Sequence, residues 1–474
     1  MRQPAKNAFI RLFQVALLTT TTATAHGAET FVADPAATDG PTYYRTLLSR
    51  LQPGDTLVLR AGTYRQRLNL NGLKGTAEAW ITIAGPERGD PAIITTDSTC
   101  CNTVQLGDSA YIALRHLTID SNSESLGVSI DAINAKGQPT HDITVEDCVI
   151  QGVGLHQQTV GISTKSTAWN WTIRRNRIIG AGTGIYLGNS DGSAPFVAGT
   201  IENNLFVDTI GYNMQIKHQN PYSQLEGMPE GPNRTVIRDN VFLKRIAQSA
   251  TPSGKIAGPR PNLLVGGFPG SGPGSADIYE IYGNFLYRNP DGEGLIQATG
   301  RVSIHDNVFI GPAWSAIFLT DHNVPLEFAT IYNNTIYAVD NGILLGNAAR
   351  ETSAAIGNLI FADNPISRPL AEQRHNITAA VADAADYVSN PSTTLGEMDL
   401  YPLIGAAEGA AMDLSAFVGD TGYSVDFNGH SKGHFRFRGA YAGEGRNPGW
   451  RLGAGMKTTS SGKVPRLPTD ITAE

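Results

Sequence analysis

The stretch GYNMQIKHQN, Gly211–Asn220, places a lysine next to a histidine. Met214 and Ile216 alternate with polar residues as they would in a half-buried strand, and the strand ends at Lys217 and His218. An amine and an imidazole can both accept and donate protons when their surroundings adjust the pKa of each group. We therefore predict that this pair belongs to a site for acid–base chemistry.

A second group of candidates could bind or position an anionic ligand beside this pair. Arg260 lies between two prolines in GPRPN, and a stiff backbone suits a guanidinium aimed at a carboxylate. Tyr212 adds a hydroxyl that can donate a proton. Asn189 and Asp191 have a second explanation, because both residue types also stabilise turns. The candidates for ligand binding are Lys165, Asn189, Asp191, Gln215, Gln219, Asn262, Asp321 and His322.

One phrase recurs along the chain, as in IRRNRIIG, IENNLFVD and IHDNVFIG. Aligning its copies gives one column that contains Cys148, Asn176, Asn204, Asn240, Asn284, Asn307, Asn334 and Asn358. A repeat of this length without helical spacing between its strands is typical of a β-solenoid, in which stacked turns bury one continuous core. We predict that the asparagines form a ladder of amide hydrogen bonds.

The second strand of each repeat indicates where the candidate residues lie. Aligning these strands places Lys165 and Lys217 at one edge, with Asp321 and His322 further along it. Two consecutive turns are longer than the others, through HQNPYSQLEGMPEGPN and through a Pro- and Gly-rich stretch between Ser249 and Ala276. Insertions on adjacent turns form walls, so we predict a cleft on one side of the solenoid with Lys217 at the foot of the first wall.

The two ends of the chain differ from the repeat. The N-terminal 28 residues combine basic residues, an apolar stretch and the small residues AHGA, which predicts a signal peptide and an exported protein, secreted or periplasmic. Tyr44, Leu47, Leu48 and Leu51 have the spacing of one helix face, which predicts a short helix that covers the open end. The predicted segments are 1–28, signal peptide; 29–455, one solenoid domain (29–75 N-terminal cap, 76–365 regular turns, 366–455 irregular turns and closing segment); and 456–474, flexible tail.

Composition and charge exclude several classes of protein. A formal net charge of -7 argues against nucleic-acid binding, although residues 160–301 hold more basic than acidic residues, which favours an anionic ligand. No segment of the mature chain has the roughly 20 apolar residues of a membrane span. The adjacent Cys100 and Cys101 can be thiols or a bridge. No tight acidic cluster indicates calcium, so we predict no cofactor, leave calcium open, and expect a monomer.

The segment LQPGDTLVLRAGTY followed by these turns resembles the right-handed parallel β-helix proteins of the pectate-lyase-like superfamily, which includes alginate and chondroitin lyases. The stretch VDFNGHSKGHFRFRGAYAGEG is similar to a degraded form of their closing segment. The resemblance implies an all-β fold, a right-handed parallel β-helix with a short N-terminal capping helix. The chain lacks the motifs NTD, GHG, DPHD and NGxE and an adjacent DD pair of the polygalacturonase type, so no subfamily is matched.

The resemblance favours a polysaccharide lyase that cleaves a uronic-acid polysaccharide by β-elimination. Such an enzyme neutralises the uronate carboxylate, removes the C5 proton and protonates the leaving oxygen. Lys217 would then be the base, Arg260 or Lys165 the neutralising cation, and His218 or Tyr212 the proton donor. The same groups could support C5 epimerisation if the proton returned on the other face.

Two other classes of function stay open. A glycoside hydrolase needs two carboxylates roughly 5 to 10 Å apart, and its candidates here are Asp191, Asp208, Glu226 and Glu230. A non-catalytic envelope protein could instead use the flat faces of a solenoid to bind a glycan without cleaving it.

Overall fold

The computed structural model describes residues 27–96, 102–122, 130–132, 139–245, 258–347 and 353–458. Most of the predicted signal peptide, together with Cys100 and Cys101, lies outside these residues. In the two large sheets, each strand pairs in parallel with equivalent strands of neighbouring turns, as Ile185 does with Met214. The chain is therefore a parallel β-helix.

The strands form three columns. The first column contains Thr30–Ala33, Thr56–Leu59, Ile81–Ala84, Ala110–Arg115, Thr140–Glu146, Thr172–Arg174, Thr200–Glu202, Arg234–Arg238, Ile278–Tyr282, Gly300–His305, Leu326–Tyr332, Ser353–Ile356 and Glu372–Arg374, with Ala168–Trp169 and Phe196–Val197 beside it. The second column contains Gly62–Tyr64, Ala92–Ile94, Leu117–Asp120, Val149–Gln151, Arg177–Ile179, Leu205–Val207, Val241–Leu243, Phe285–Tyr287, Val308–Ile310 and Ile377–Ala379. The third column contains Leu68–Asn69, Val104–Leu106, Ile130–Ala132, Val160–Thr164, Thr183–Leu187, Met214–Ile216, Leu263–Val265, Ile296–Ala298 and Ser315–Leu319. The long strands Thr335–Leu345 and Leu359–Ser367 run through the second and third columns.

Helical structure is sparse. One α-helix comprises Tyr44–Leu48 and buries Tyr44 and Leu47, two of the residues whose spacing predicts it. That this helix covers the open end of the solenoid stays a prediction. The C-terminal region adds the 3₁₀ turns Val381–Asp386 and Ser415–Phe417 and the antiparallel pair Val388–Asn390 and Asp399–Pro402. None of the helices in the described ranges has the length and apolar character that a membrane crossing requires.

The core runs along the inside of the three columns. In the third column, Ile185, Met214, Leu263 and Ile296 occupy the same register position on successive strands, and each is 0% exposed. A single turn is too small to enclose such side chains, so each turn depends on its neighbours for burial.

The predicted asparagine ladder is present. Asn204 Oδ1 accepts hydrogen bonds from the backbone N–H and from Nδ2 of Asn176, both at 3.0 Å. The same pair of bonds recurs on the following turns and continues past Asn358, the last residue of the predicted column, to Asn376. Cys148 begins the ladder, with its backbone N–H 3.0 Å from Asn176 Oδ1.

The C-terminal region packs along the side of the solenoid, on the outer face of the second column. Phe427 and Tyr441 join a buried cluster with outward-facing residues such as Val241 and Phe285. Lys457 is 1% exposed, and its Nζ lies 2.7 Å from Asp239 Oδ1. The packed chain thus extends into the segment 456–474 that the sequence predicts as a flexible tail, and residues 459–474 lie outside the described ranges.

Candidate functional site

The candidate residues lie around the outer face of the third column. Outward-facing positions on successive strands are occupied by Tyr186, Gln215, Leu264, Gln297 and Phe318, which we call the outer row. Side chains from the turns at both ends of these strands border the row. Most of the predicted site residues are in these two borders.

The two long insertions share one corner of adjacent turns, as predicted, but the part of the second insertion that contains Arg260 lies at another corner. Residues 217–233 follow the strand Met214–Ile216, and residues 266–277 follow the paired strand Leu263–Val265. Residues 258–262, which include Arg260, precede Leu263–Val265 and so lie at the opposite border. The repeat length counts the extra residues of a turn without indicating which corner holds them.

Lys217 and His218 begin the first insertion, and both are half-buried. Burial lowers the pKa of the Lys217 amine, and the positive charge of Arg260 lowers it further. Burial also lowers the pKa of His218, with Lys217 and His322 acting in the same direction and Asp191 opposing them. Both groups are thereby shifted toward the neutral form that a general base requires.

Tyr212 and Arg260 lie at the opposite border of the row. The Arg260 guanidinium lies over the Tyr212 ring, 5.9 Å from its centroid. Burial raises the pKa of the Tyr212 hydroxyl, Arg260 partly offsets this effect, and Glu293 adds to it. The hydroxyl therefore keeps its proton into the alkaline range and remains available as a donor. Asn289 Nδ2 donates to the Arg260 carbonyl at 2.8 Å, which ties this part of the backbone to the next turn.

The loop around Asp191 and Gly192 adjoins His218. A Cβ on Gly192 would come within 2.7 Å of His218 Nε2, so only glycine allows this approach. Asp191 is exposed, and hydrogen bonds from Ser193 lower the pKa of its carboxyl. Asn189 Oδ1 accepts from the Ser190 N–H at 2.9 Å. Turn stabilisation thus accounts for Asn189 and Asp191 without a ligand, although the charge of Asp191 also acts to raise the pKa of His218.

Lys165 and His322 extend the site along the helix axis. Lys165 is exposed, and its Nζ lies 5.9 Å from the centroid of the Tyr186 ring in the outer row. Burial and the charge of Lys217 lower the pKa of His322. Asp321, its neighbour, is exposed and accepts a hydrogen bond from the Leu326 N–H at 2.7 Å within its own turn.

Three amide side chains reach little or no solvent. Gln219 is 1% exposed and donates to the Phe196 carbonyl, and Asn262 is 0% exposed and donates to the Arg288 carbonyl. Their assignment to ligand binding is wrong for this structure, because both amides hold turns together inside the protein. Gln215 faces outward in the row but is only 5% exposed.

Sequence reasoning missed Lys244, a buried lysine behind Tyr212. Its side chain is 0% exposed, and Nζ lies 3.1 Å from the Gly211 carbonyl and 3.1 Å from Asp291 Oδ2. The ion pair with Asp291 holds the Lys244 side chain in place. Its hydrogen bond to Gly211 then positions the backbone that carries the adjacent Tyr212 ring. In the stretch VFLKR the lysine follows a strand as an exposed turn residue would, so the sequence has no signal for its burial.

Most other arginines of this region are neutralised by carboxylates. Arg175 pairs with Asp147 at 2.7 Å, and Arg245 pairs with Asp208 at 2.6 Å. Within the described ranges, no carboxylate lies within ion-pair distance of Lys165, Lys217 or Arg260. These three unpaired cations border the same outer row, and they are the charges available to an anionic ligand.

Three of the four candidate carboxylates of a hydrolase have separate surroundings. Asp208 is held by Arg245, and Asp191 lies at the exposed loop described above. Glu226 lines a separate cavity of about 380 Å³ with His141 and Trp169. In the described part of the chain, no three His, Cys, Asp or Glu residues are grouped so that they could hold a metal ion.

Comparison with known proteins supports the fold. No family model matches the sequence, and no curated protein matches it either. The GH136 lacto-N-biosidase from Eubacterium ramulus is similar in structure with a TM-score of 0.51 at 12% identity, over 74% of this chain and 68% of that chain. An alginate lyase from Paenibacillus sp. str. FPU-7 has a TM-score of 0.46 at 15% identity, over 74% and 99%. The mannuronan C-5 epimerase AlgE4 A-module of Azotobacter vinelandii has a TM-score of 0.42 at 16% identity, over 69% and 91%.

Replacing Arg260 with glutamine is expected to raise the pKa of Lys217. The substitution removes the positive charge that disfavours protonation of the amine. Titration of the lysine side-chain signals by NMR, with Lys217→Met used for assignment, measures the change. Arg436→Gln is the control, because Arg436 is 53% exposed and pairs with Glu408. An unchanged Lys217 pKa in Arg260→Gln would contradict this account of the site.

Proposed function

We propose that this protein is an exported, monomeric polysaccharide lyase that cleaves a uronic-acid-containing polysaccharide by β-elimination. The proposal is carried by one observation, namely the three cations without carboxylate partners that border the outer row beside Tyr212 and His218. The borders of the row, and not its nearly buried centre at Gln215 and Leu264, present the groups that a polymer would contact. Unpaired cations at these borders suit a ligand with a carboxylate on each sugar.

In this reaction the residues at the two ends of the strand Met214–Ile216 act on opposite sides of the sugar. Arg260, with Lys165 further along the row, neutralises the uronate carboxylate and so acidifies the C5 proton. Lys217, with its lowered pKa, takes that proton as the neutral amine. The C5 electron pair forms the C4=C5 double bond, the C4–O4 bond breaks, and the Tyr212 hydroxyl protonates O4. No water is consumed.

His218 is the alternative to Lys217 as the base and to Tyr212 as the donor. Its pKa is lowered, and its Nδ1 is buried without a hydrogen-bond partner, so the imidazole is neutral at neutral pH. A neutral imidazole can accept the C5 proton directly. It is a weaker candidate for proton donor than Tyr212, whose hydroxyl keeps its proton.

C5 epimerisation is the second candidate function. Lys217 and Tyr212 lie at opposite ends of one strand, so a proton removed on one side of the sugar could be replaced from the other side. Hydrolysis has less support, because Asp208 is paired with Arg245 and Glu226 lines a separate cavity. A binding-only role predicts that the polymer remains intact.

Incubation with a panel of uronic-acid and neutral polysaccharides is expected to yield unsaturated oligosaccharides from a uronate polymer only. The new C4=C5 bond, conjugated with the carboxylate, absorbs in the near ultraviolet, and mass spectrometry would show products without added water. Incubation in D₂O separates epimerisation, which would place deuterium at C5 of an intact polymer. Products that have gained water would establish hydrolysis, and an intact, unlabelled polymer would overturn all three reactions.

A further inference from the structure

Trp314 and Phe318 form an aromatic pair at the far end of the outer row. Their ring centroids are 5.0 Å apart at an interplanar angle of 69°, an edge-to-face contact. Phe318 belongs to the row through its pairing with Gln297. Trp314 is 37% exposed, and the described residues include no other aromatic side chain among the exposed large hydrophobics.

The backbone holds Trp314 in place while its ring stays at the surface. The Trp314 N–H donates to the Glu293 carbonyl at 3.2 Å, and the Trp314 carbonyl accepts from Asn341 Nδ2 at 2.9 Å. By contrast, Trp169 and Trp171 are both 0% exposed. Exposed indole surface costs hydrophobic free energy, and a rigid, exposed aromatic pair is a feature of binding surfaces.

The register gives the distance of this pair from the acid–base residues. Three strand-to-strand steps lead from Gln215 through Leu264 and Gln297 to Phe318. Adjacent strands are about 4.8 Å apart, so the pair lies roughly 14 Å along the helix axis from the strand that carries Tyr212 and Lys217. A polymer that follows the row would reach it a few sugar units from the reacting bond.

We propose that Trp314 and Phe318 form a stacking subsite for one pyranose ring of the bound polysaccharide. The apolar face of the ring would pack on the indole, which needs no charge on that sugar. This inference rests on the proposed function, because the same polymer would occupy the rest of the outer row. The subsite therefore favours longer chains over short ones.

Binding measurements with oligosaccharides of increasing length test the subsite. The probes are fragments, from disaccharide to octasaccharide, of the uronate polymer that the panel identifies, measured by calorimetry at a pH where turnover is negligible. Trp314→Ala is expected to weaken binding of the long fragments about 2- to 12-fold and to leave the disaccharide unaffected. Trp314→Phe should retain part of the affinity. Ile404→Ala is the matched control, because Ile404 is an apolar side chain with 86% exposure.

The outcomes separate this inference from the proposed function. Wild-type binding that does not strengthen with length, or equal binding of long fragments by wild type and Trp314→Ala, would overturn the subsite alone. If no uronate fragment binds the wild type, the proposed function itself fails. A neutral cello-oligosaccharide that shifts the Trp314 indole NMR signal would then still support a stacking site.

Discussion

Replacing Lys217 with methionine is expected to lower kcat on the uronate polymer by about 10²- to 10⁴-fold, the usual contribution of a general base. Methionine keeps much of the side-chain volume, so the half-buried position remains filled. KM is expected to change little, because Arg260 and Lys165 still attract the carboxylates. Initial rates from near-ultraviolet absorbance, over a range of polymer concentrations, separate the two constants.

Lys74→Met is the matched control for this experiment. Lys74 is 54% exposed, and its ion pair with Asp108 lies at the surface, so its loss should leave the rate unchanged. If mass spectrometry shows that Lys217→Met still depolymerises the substrate while Asp191→Asn or Asp208→Asn does not, and the products have gained water, hydrolysis replaces β-elimination as the reaction. If His218→Ala alone abolishes turnover, the imidazole is the base.

Replacing Asn284 with leucine is expected to cost on the order of 3 to 6 kcal/mol of folding free energy, because several buried polar groups lose their partners together. Asn284 Oδ1 accepts from Asn240 N and Nδ2 at 2.9 and 3.0 Å, and its Nδ2 donates to Asn307 Oδ1 at 3.0 Å. Leucine has a similar size but can replace none of these bonds. Urea denaturation followed by circular dichroism measures the loss.

Asn376→Leu is the control within the same ladder. Asn376 is the last residue of the ladder and is only partly buried, so water can replace some of its lost hydrogen bonds. We expect a clearly smaller loss of stability than for Asn284→Leu. Equal effects at the two positions, or no effect at Asn284, would mean that the ladder does not stabilise the stack.

The repeated phrase is the part of the structure that sequence reasoning predicted best. Short strands and turns are encoded locally, so the spacing of apolar residues and asparagines was enough to indicate a solenoid and its ladder. The register of the second strands also placed Lys165 and Lys217 along one border correctly. In both cases the information lies within one repeat or in the alignment of successive repeats.

The position of the second insertion was less predictable. Its extra residues divide between two corners of one turn, which places Arg260 across the outer row from Lys217. A repeat length counts residues but contains no information about the corner at which they are added. Residues 217–233 and 266–277 lie at the predicted common corner, whereas Arg260 lies at the other border, from which its guanidinium still influences the Lys217 amine.

The sequence by itself thus determined the stacked architecture, because neighbouring repeats share one local pattern and bury one another. Only the tertiary structure decided which polar side chains are available for chemistry. Gln219 and Asn262 are buried and donate hydrogen bonds to backbone carbonyls, and Lys244 is buried. Lys217 has no carboxylate partner among the described residues. Burial, pairing and pKa depend on groups that are far apart in the chain, and no local pattern records which of them meet.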